Sequence, residues 1–326
     1  MQLREDRSMT TLKYTTNKIN IRCPIGSFGS LPYLAHLLKQ LLKVEVTISN
    51  EYKPNYLNIL IDETLSSIIY KRKADIWWTD SPYMLPTSRH NIQKILLEEQ
   101  LFKKNYAVSQ FMKDYMKQLG LKVEETIIPR PINPILFNYK TDYDNTTFDV
   151  ITIGKHCMCD RKNLRLQREV FLKLNFKYCV ISDVLMPKRP NLIQFNFGSI
   201  TDEQKAQLLS KSKFLLWTSS IEGFGLPPLE AMAVGTIPIY SDVPAHNEFT
   251  IGIPIKPIDK VTTYCYGVKI VKYVIDKKDV EEAVKYALGL TKEEYEDLQY
   301  KCMNKAVEVY NEFIEKLPLL LGGDLN

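Results

Sequence analysis

Residues 214–240 constrain this chain more than any other stretch. Phe214-Leu-Leu-Trp217 is a short apolar run that reads as a strand, and residues 218–226 read as a loop in which Gly223 and Gly225 free the backbone to turn. Pro227 and Pro228 suit the first turn of a helix, where a missing N–H costs little. Gly235 ends that helix, and residues 236–240 begin a new strand. A helix N-terminus behind a glycine loop presents free N–H groups and a positive dipole end to an anion. One carboxylate, Glu222, stands before that terminus, and a second, Glu230, stands on the helix.

The alternation of strand and helix runs through the chain. In the first half, strands are expected at 13–22, 44–48, 56–61 and 74–78, with a helix near 64–73. Ser109 caps a helix that follows the short strand 105–108. Pro129, Pro131 and Pro134 mark a linker. In the second half, strands at 148–153, 178–181 and 192–197 alternate with helices at 163–174 and 202–210. Thr291-x-x-Glu294 is a capping box for a long terminal helix with the apolar stripe Tyr295, Leu298, Cys302, Ala306, Val309, Phe313 and Leu317. The pattern predicts an α/β chain with two Rossmann-like parallel-sheet domains. The boundaries are 1–130, a linker over 131–147, a second domain over 148–290, and a terminal helix and tail over 291–326.

With 326 residues, 45% hydrophobic and 25% charged, the chain can bury a core in each domain. Its net charge of +5 suits anionic ligands such as nucleotide diphosphates, or a loose peripheral contact with a membrane. It falls short of a nucleic-acid-binding stripe. Of six cysteines, Cys157 and Cys159 flank a C-x-C beside His156, but a tetrahedral zinc site wants a second pair. Reduced thiols in a cytoplasmic protein are expected instead. Residues 1–10 are polar and charged, unlike a signal peptide, and no apolar run reaches the roughly 20 residues of a membrane span.

The stretch from Glu222 through Gly-Phe-Gly-Leu-Pro-Pro-Leu to Glu230, continued by Ala-Met-Ala-Val-Gly235, resembles the E-x7-E motif of retaining nucleotide-sugar glycosyltransferases of the GT-B fold, family 4 in particular. The resemblance implies two domains facing a cleft, with a terminal helix that can cross back to the first. It implies transfer of a sugar from a UDP- or GDP-sugar to an acceptor hydroxyl with retention, the acceptor being a glycan, lipid, protein or small molecule. No metal or other cofactor is implied. Glu222 matches the sugar-facing Glu, and Glu230 the Glu that accepts from the donor ribose. Backbone N–H groups of Gly223, Phe224, Gly225 and Leu226 would address sugar and phosphate.

Gly154-Lys155-His156 and Arg161-Lys162-Asn163 resemble the elements that neutralise the diphosphate, with Lys155 in place of the usual Arg. Gly26 and Gly29 resemble the loop that approaches the donor phosphates, and Gly198 and Ser199 lie where base contacts are made. Asp80 stands where related enzymes often carry a histidine. It could bind the donor sugar, orient the acceptor or cap a turn.

Asp142-Tyr-Asp144 has metal-binding D-x-D spacing but lies in the linker and reads as solvated. His246, after a second-domain strand, could line the cleft. Two rivals stay open. One is a non-transferring nucleotide-sugar protein of the same fold, an epimerase or sensor. The other is an NAD-type dehydrogenase built on the Gly26 loop, although Pro24 and Ile25 stand where that fingerprint needs glycines.

Overall fold

The computed structural model describes residues 18–22, 37–39, 45–49, 51–62, 74–79, 102–118, 120–156, 159–265 and 268–323. Gly26, Gly29, Asp80, Cys157 and the helix expected over 64–73 lie outside them. The chain divides into two compact units, one of residues 2–131, 265–269 and 309–326, the other of 132–264 and 270–308.

In the first unit, β1 (Lys18–Arg22), β2 (Glu45–Ser49), β3 (Leu57–Asp62), β4 (Ala74–Thr79) and β5 (Phe102–Ala107) form one sheet in the order β2-β1-β3-β4-β5. Every pairing is parallel. This is the flavodoxin-like order of a doubly wound sheet. Ile19, Ile21, Ile59, Ile61 and Ile76 are buried, as strands covered on both faces require. A row of polar side chains crosses the sheet in register and satisfies itself. Asn20 Nδ2 donates to Asn58 Oδ1 at 2.9 Å, Asn58 N to Asp75 Oδ2 at 2.8 Å, and Lys103 pairs with Asp75 at 2.8 Å. Helix α1 (Gln110–Gln118) starts where expected, with Ser109 Oγ accepting from Met112 N at 3.0 Å.

The second unit holds a six-stranded sheet. Its strands are β6 (Phe148–Gly154), β7 (Tyr178–Ser182), β8 (Leu192–Phe195), β9 (Ser212–Trp217), β10 (Ile237–Ser241) and β11 (Ile253–Ile255). They lie in the order β11-β10-β9-β6-β7-β8, again all parallel. Counted from β6, this is the dinucleotide-fold order, and it reverses between β6 and β9. Helices α2 (Leu164–Lys173), α3 (Asp202–Ser210), α4 (Leu226–Ala233) and the short α5 (His246–Phe249) connect the strands. A two-stranded sheet of β12 (Asp259–Cys265) and β13 (Val268–Val274), absent from the expected pattern, precedes α6 (Lys277–Leu288).

The terminal helix α7 (Lys292–Leu320) opens with the expected capping box. Glu294 N donates to Thr291 Oγ1 at 3.2 Å and Thr291 N to Glu294 Oε2 at 2.9 Å. Tyr295, Cys302, Ala306, Val309, Phe313 and Leu317 are buried, but Leu298 is half-exposed. Gln299 takes the inward place, its Nε2 donating to Thr141 O and Gly235 O at 2.9 Å each. The steps from 295 to 299 to 302 keep the helical period, and the polar side chain donates to two loop carbonyls, of which Gly235 O also accepts from Tyr295 Oη at 3.2 Å. Residues 309–320 of α7 belong to the first unit, where Phe313 stacks on Trp78 with ring centroids 5.9 Å apart. Among the described residues no helix is long and apolar enough to cross a membrane.

Candidate active site

Ligands of open parallel sheets bind outside the carboxyl ends of the strands where strand order reverses. In the second unit that point lies between β6 and β9, so the loops after Gly154 and after Trp217 come together there. Gly154 has no side chain for a steric reason: a Cβ would sit 3.0 Å from both Leu164 Cδ2 and Lys162 Cδ. The chain then turns through Asp160 (φ 43°) and Asn163 (φ 51°), left-handed positions that Asp and Asn tolerate. Asp160 Oδ1 accepts from Leu164 N at 3.1 Å, which occupies the start of α2.

Hydrogen bonds join the two loops. Asn163 Nδ2 donates to Thr218 O and to Ser220 Oγ at 2.8 Å each, and Ser220 N donates to Arg161 O at 2.6 Å. Gln167 Nε2 donates to Thr218 Oγ1 at 2.8 Å. From β13, Lys272 Nζ donates to Cys159 O and Asp160 O at 3.2 and 3.1 Å, and Tyr273 N donates to Ser220 O at 3.2 Å. The unexpected β12–β13 sheet thus braces both loops.

Glu222 lies at the centre, 6% exposed. Its Oε1 accepts from Arg161 Nη1 at 2.5 Å, Lys162 Nζ at 2.9 Å and Ser219 Oγ at 2.9 Å. Lys162 also rests 3.9 Å from the centre of the Trp217 ring. Burial alone would raise the Glu222 carboxyl, but the charges of Arg161 and Lys162 outweigh it and hold the group well below the usual carboxylate range. Glu222 is therefore an anion at neutral pH.

His246, which could line the cleft, is fully buried. Its Nε2 accepts from Trp217 Nε1 at 3.0 Å, which leaves the proton on Nδ1, 3.0 Å from Ser241 O. Burial pushes its pKa down to about 4, against the pull of Glu222. The neutral ring, with both nitrogens engaged, packs beneath Gly225. There φ is +96°, a conformation that favours glycine, and a Cβ would make a tight 3.1 Å contact with His246 Cδ2.

Helix α4 begins at Leu226 with Gly225 as its N-cap. Pro227 and Pro228 are then its second and third residues and carry no N–H. Of the four unpaired N–H groups a helix start normally offers, only those of Gly225 and Leu226 remain. Phe224 packs on Phe249, ring centroids 4.4 Å apart, which anchors the loop from Gly223 to Gly225.

Glu230, 2% exposed on α4, forms a separate cluster. Its Oε1 accepts from Lys205 Nζ at 2.8 Å, and Lys205 lies 3.0 Å from Asp202 as well. Glu230 Oε2 is buried and has no hydrogen-bond partner among the described residues. Burial raises this carboxyl above its ordinary value, and Lys205 only partly offsets the rise. Lys205 escapes a sequence reading because, three residues from Asp202, it looks like half of a solvated helix pair.

The remaining candidates lie apart. Lys155 is exposed just after Gly154. Gly198 (φ +84°) and Ser199 form an exposed turn after the edge strand β8, with Ser199 N and Oγ bonding Asn196 O at 3.0 and 2.8 Å. Three strand spacings separate β8 from β9, roughly 14 Å. Asp142 accepts from Asp144 N at 3.0 Å and Asn145 Nδ2 at 2.6 Å, and Asp144 pairs with Lys292, so both carboxylates serve a turn and the start of α7. Cys159 is disulfide-bonded, against the expectation of reduced thiols, while Cys179 and Cys302 are free and buried.

Residues 191–251 match the model of the glycosyl transferases group 1 family. The chain is 36% identical over 194 residues to the proposed glycosyltransferase 41 of Sulfolobus islandicus filamentous virus, covering 58% of this chain and 55% of that one, so the match spans just over half of that relative's length. It is 31% identical over 236 residues to the proposed glycosyltransferase ORF330 of Acidianus filamentous virus 2, covering 68% of this chain and 67% of that one. Among solved structures it resembles Anabaena HepE, crystallised with UDP and glucose, with a TM-score of 0.62 and 14% identity over 92% of this chain and 99% of that one. At that identity the likeness speaks to the fold, which is GT-B.

Proposed function

The chain belongs to the group 1 glycosyltransferases, and we propose that it moves a sugar from a nucleotide-diphosphate donor to an acceptor hydroxyl with retention of anomeric configuration. The observation that carries this reading is the meeting of Arg161, Lys162 and Glu222 at the strand-order reversal of the second unit. A diphosphate leaving group gains negative charge as the glycosidic bond breaks, and fixed cations stabilise it without reorganising. Arg161 and Lys162 are about one-sixth exposed, within reach of an entering ligand. On arrival of the diphosphate they exchange Glu222 for phosphate oxygens. The freed carboxylate then faces the sugar and supports positive charge at its anomeric carbon. The N–H groups of Gly225 and Leu226 add two neutral donors.

Glu230 completes the donor site, its unused Oε2 accepting from a ribose hydroxyl. UDP is the first choice of carrier, since a fold neighbour was solved with it. Thermal stabilisation by a panel of UDP- and GDP-sugars tests the donor, and NMR of the product tests the anomer. Lack of stabilisation by every donor, or an inverted product, would overturn the reading.

A further inference from the structure

Among the described residues, the charged groups that face Glu230 come from one neighbouring helix. Lys205 and Asp202 both lie on α3, and α4 carries no charge besides Glu230 itself. Lys205 is held on two sides, 2.8 Å from Glu230 Oε1 and 3.0 Å from Asp202 Oδ1, and its ammonium lies 5.7 Å from the centre of the Phe137 ring. The α3 capping box, with Gln204 N donating to Thr201 Oγ1 at 3.1 Å and Thr201 N to Gln204 Oε1 at 2.8 Å, fixes the turn that carries Asp202 and Lys205. A two-sided anchor of this kind gives a carboxylate one orientation. It engages one oxygen and leaves the other, Oε2, with no hydrogen-bond partner among the described residues.

We propose that Lys205 is a positioning residue of the donor site: held in place by Asp202, it keeps the Glu230 carboxylate charged and oriented so that Oε2 accepts from the donor ribose. This rests on the reading of Glu230 given above. Without the ammonium, a carboxylate buried in this way takes up a proton at low pH, because desolvation penalises the charged form. A protonated Glu230 is a poorer acceptor. The loss of Lys205 therefore makes donor affinity pH-dependent through Glu230, which a packing role does not do.

The test measures nucleotide affinity by calorimetry at about pH 5.5 and about pH 9, a range wide enough to titrate a buried carboxyl. The probe is whichever of UDP and GDP binds the wild-type chain more tightly. Each variant is referred to wild type at the same pH, which cancels the titration of the phosphate itself. Lys205→Met should weaken binding about tenfold at the lower pH and less than about threefold at the higher, and Lys205→Arg should stay within about threefold at both. Glu230→Gln should weaken binding by itself, and adding Lys205→Met to it should change nothing further, since the cycle isolates the coupling of the two residues. Equal weakening by Lys205→Met at both pH values, or a full additional effect in the Glu230→Gln background, overturns the proposal and leaves the ribose reading standing. No effect of Glu230→Gln overturns the ribose reading and this proposal with it.

Discussion

The Lys162 ammonium is shared between a carboxylate and an aromatic face, 2.9 Å from Glu222 Oε1 and 3.9 Å from the centre of the Trp217 ring. Trp217 in turn donates its indole N–H to His246. The cations that would meet a diphosphate are thus pre-paired with Glu222, and the ring under Lys162 is held by a neutral histidine.

Replacing Glu222 by Gln should lower transfer about a hundredfold or more, because charge rather than shape matters beside an oxocarbenium-like centre. The same change releases Arg161 and Lys162 from their carboxylate. Affinity for a nucleoside diphosphate should therefore hold or rise. Assay and calorimetry on one preparation separate the two effects, and full turnover with the native acceptor would show that Glu222 does not serve the reaction.

Lys162→Ala should weaken nucleoside diphosphate binding more than nucleoside binding. The contact it removes is charge-assisted and worth about 1.5–3 kcal/mol. Equal losses for the two ligands would place Lys162 away from the phosphate.

Acidification should destabilise the second unit through His246. Its folded pKa, about 4, lies below the ordinary 6.5, so the stability it contributes is complete above 6.5 and is lost as pH falls toward 4. For this fully buried ring the loss is about 3 kcal/mol, by the arithmetic of the shift. Glu222, whose carboxyl is depressed, adds its own loss only below the ordinary carboxylate value of 4.5. Glu230, whose carboxyl is raised, contributes in the opposite sense and loses stability as pH rises. Urea unfolding of wild type and His246→Gln across this range isolates the histidine. A variant with an unchanged slope would refute the assignment.

Transfer should survive dialysis against EDTA. On the proposed reading, Arg161, Lys162 and two backbone N–H groups would supply the charge stabilisation a divalent ion would otherwise provide. Asp142 and Asp144 are committed to a turn and to Lys292. Loss of activity restored by manganese or magnesium would reverse this expectation.

Local features were legible because their causes lie within a few residues. The strand–helix alternation, the N-cap at Ser109, the capping box at Thr291 and the glycine loop after Glu222 follow from periodicity, side-chain-to-backbone bonds and φ preference. The cations Arg161 and Lys162 and the carboxylates Glu222 and Glu230 were nameable too, but not their partners. Glu222 joins cations 60 and 61 residues away, Glu230 a lysine 25 away, and Trp217 a histidine 29 away. Such pairings depend on strand order, and strand order is set by how whole faces are buried, which no short window encodes. The order β11-β10-β9-β6-β7-β8 placed the β6 and β9 loops side by side, and packing took His246 out of solvent. The sequence determined which groups were available and which elements carried them. The tertiary structure decided which charges met, because desolvation makes a buried charge costly until an opposite one from another element reaches it.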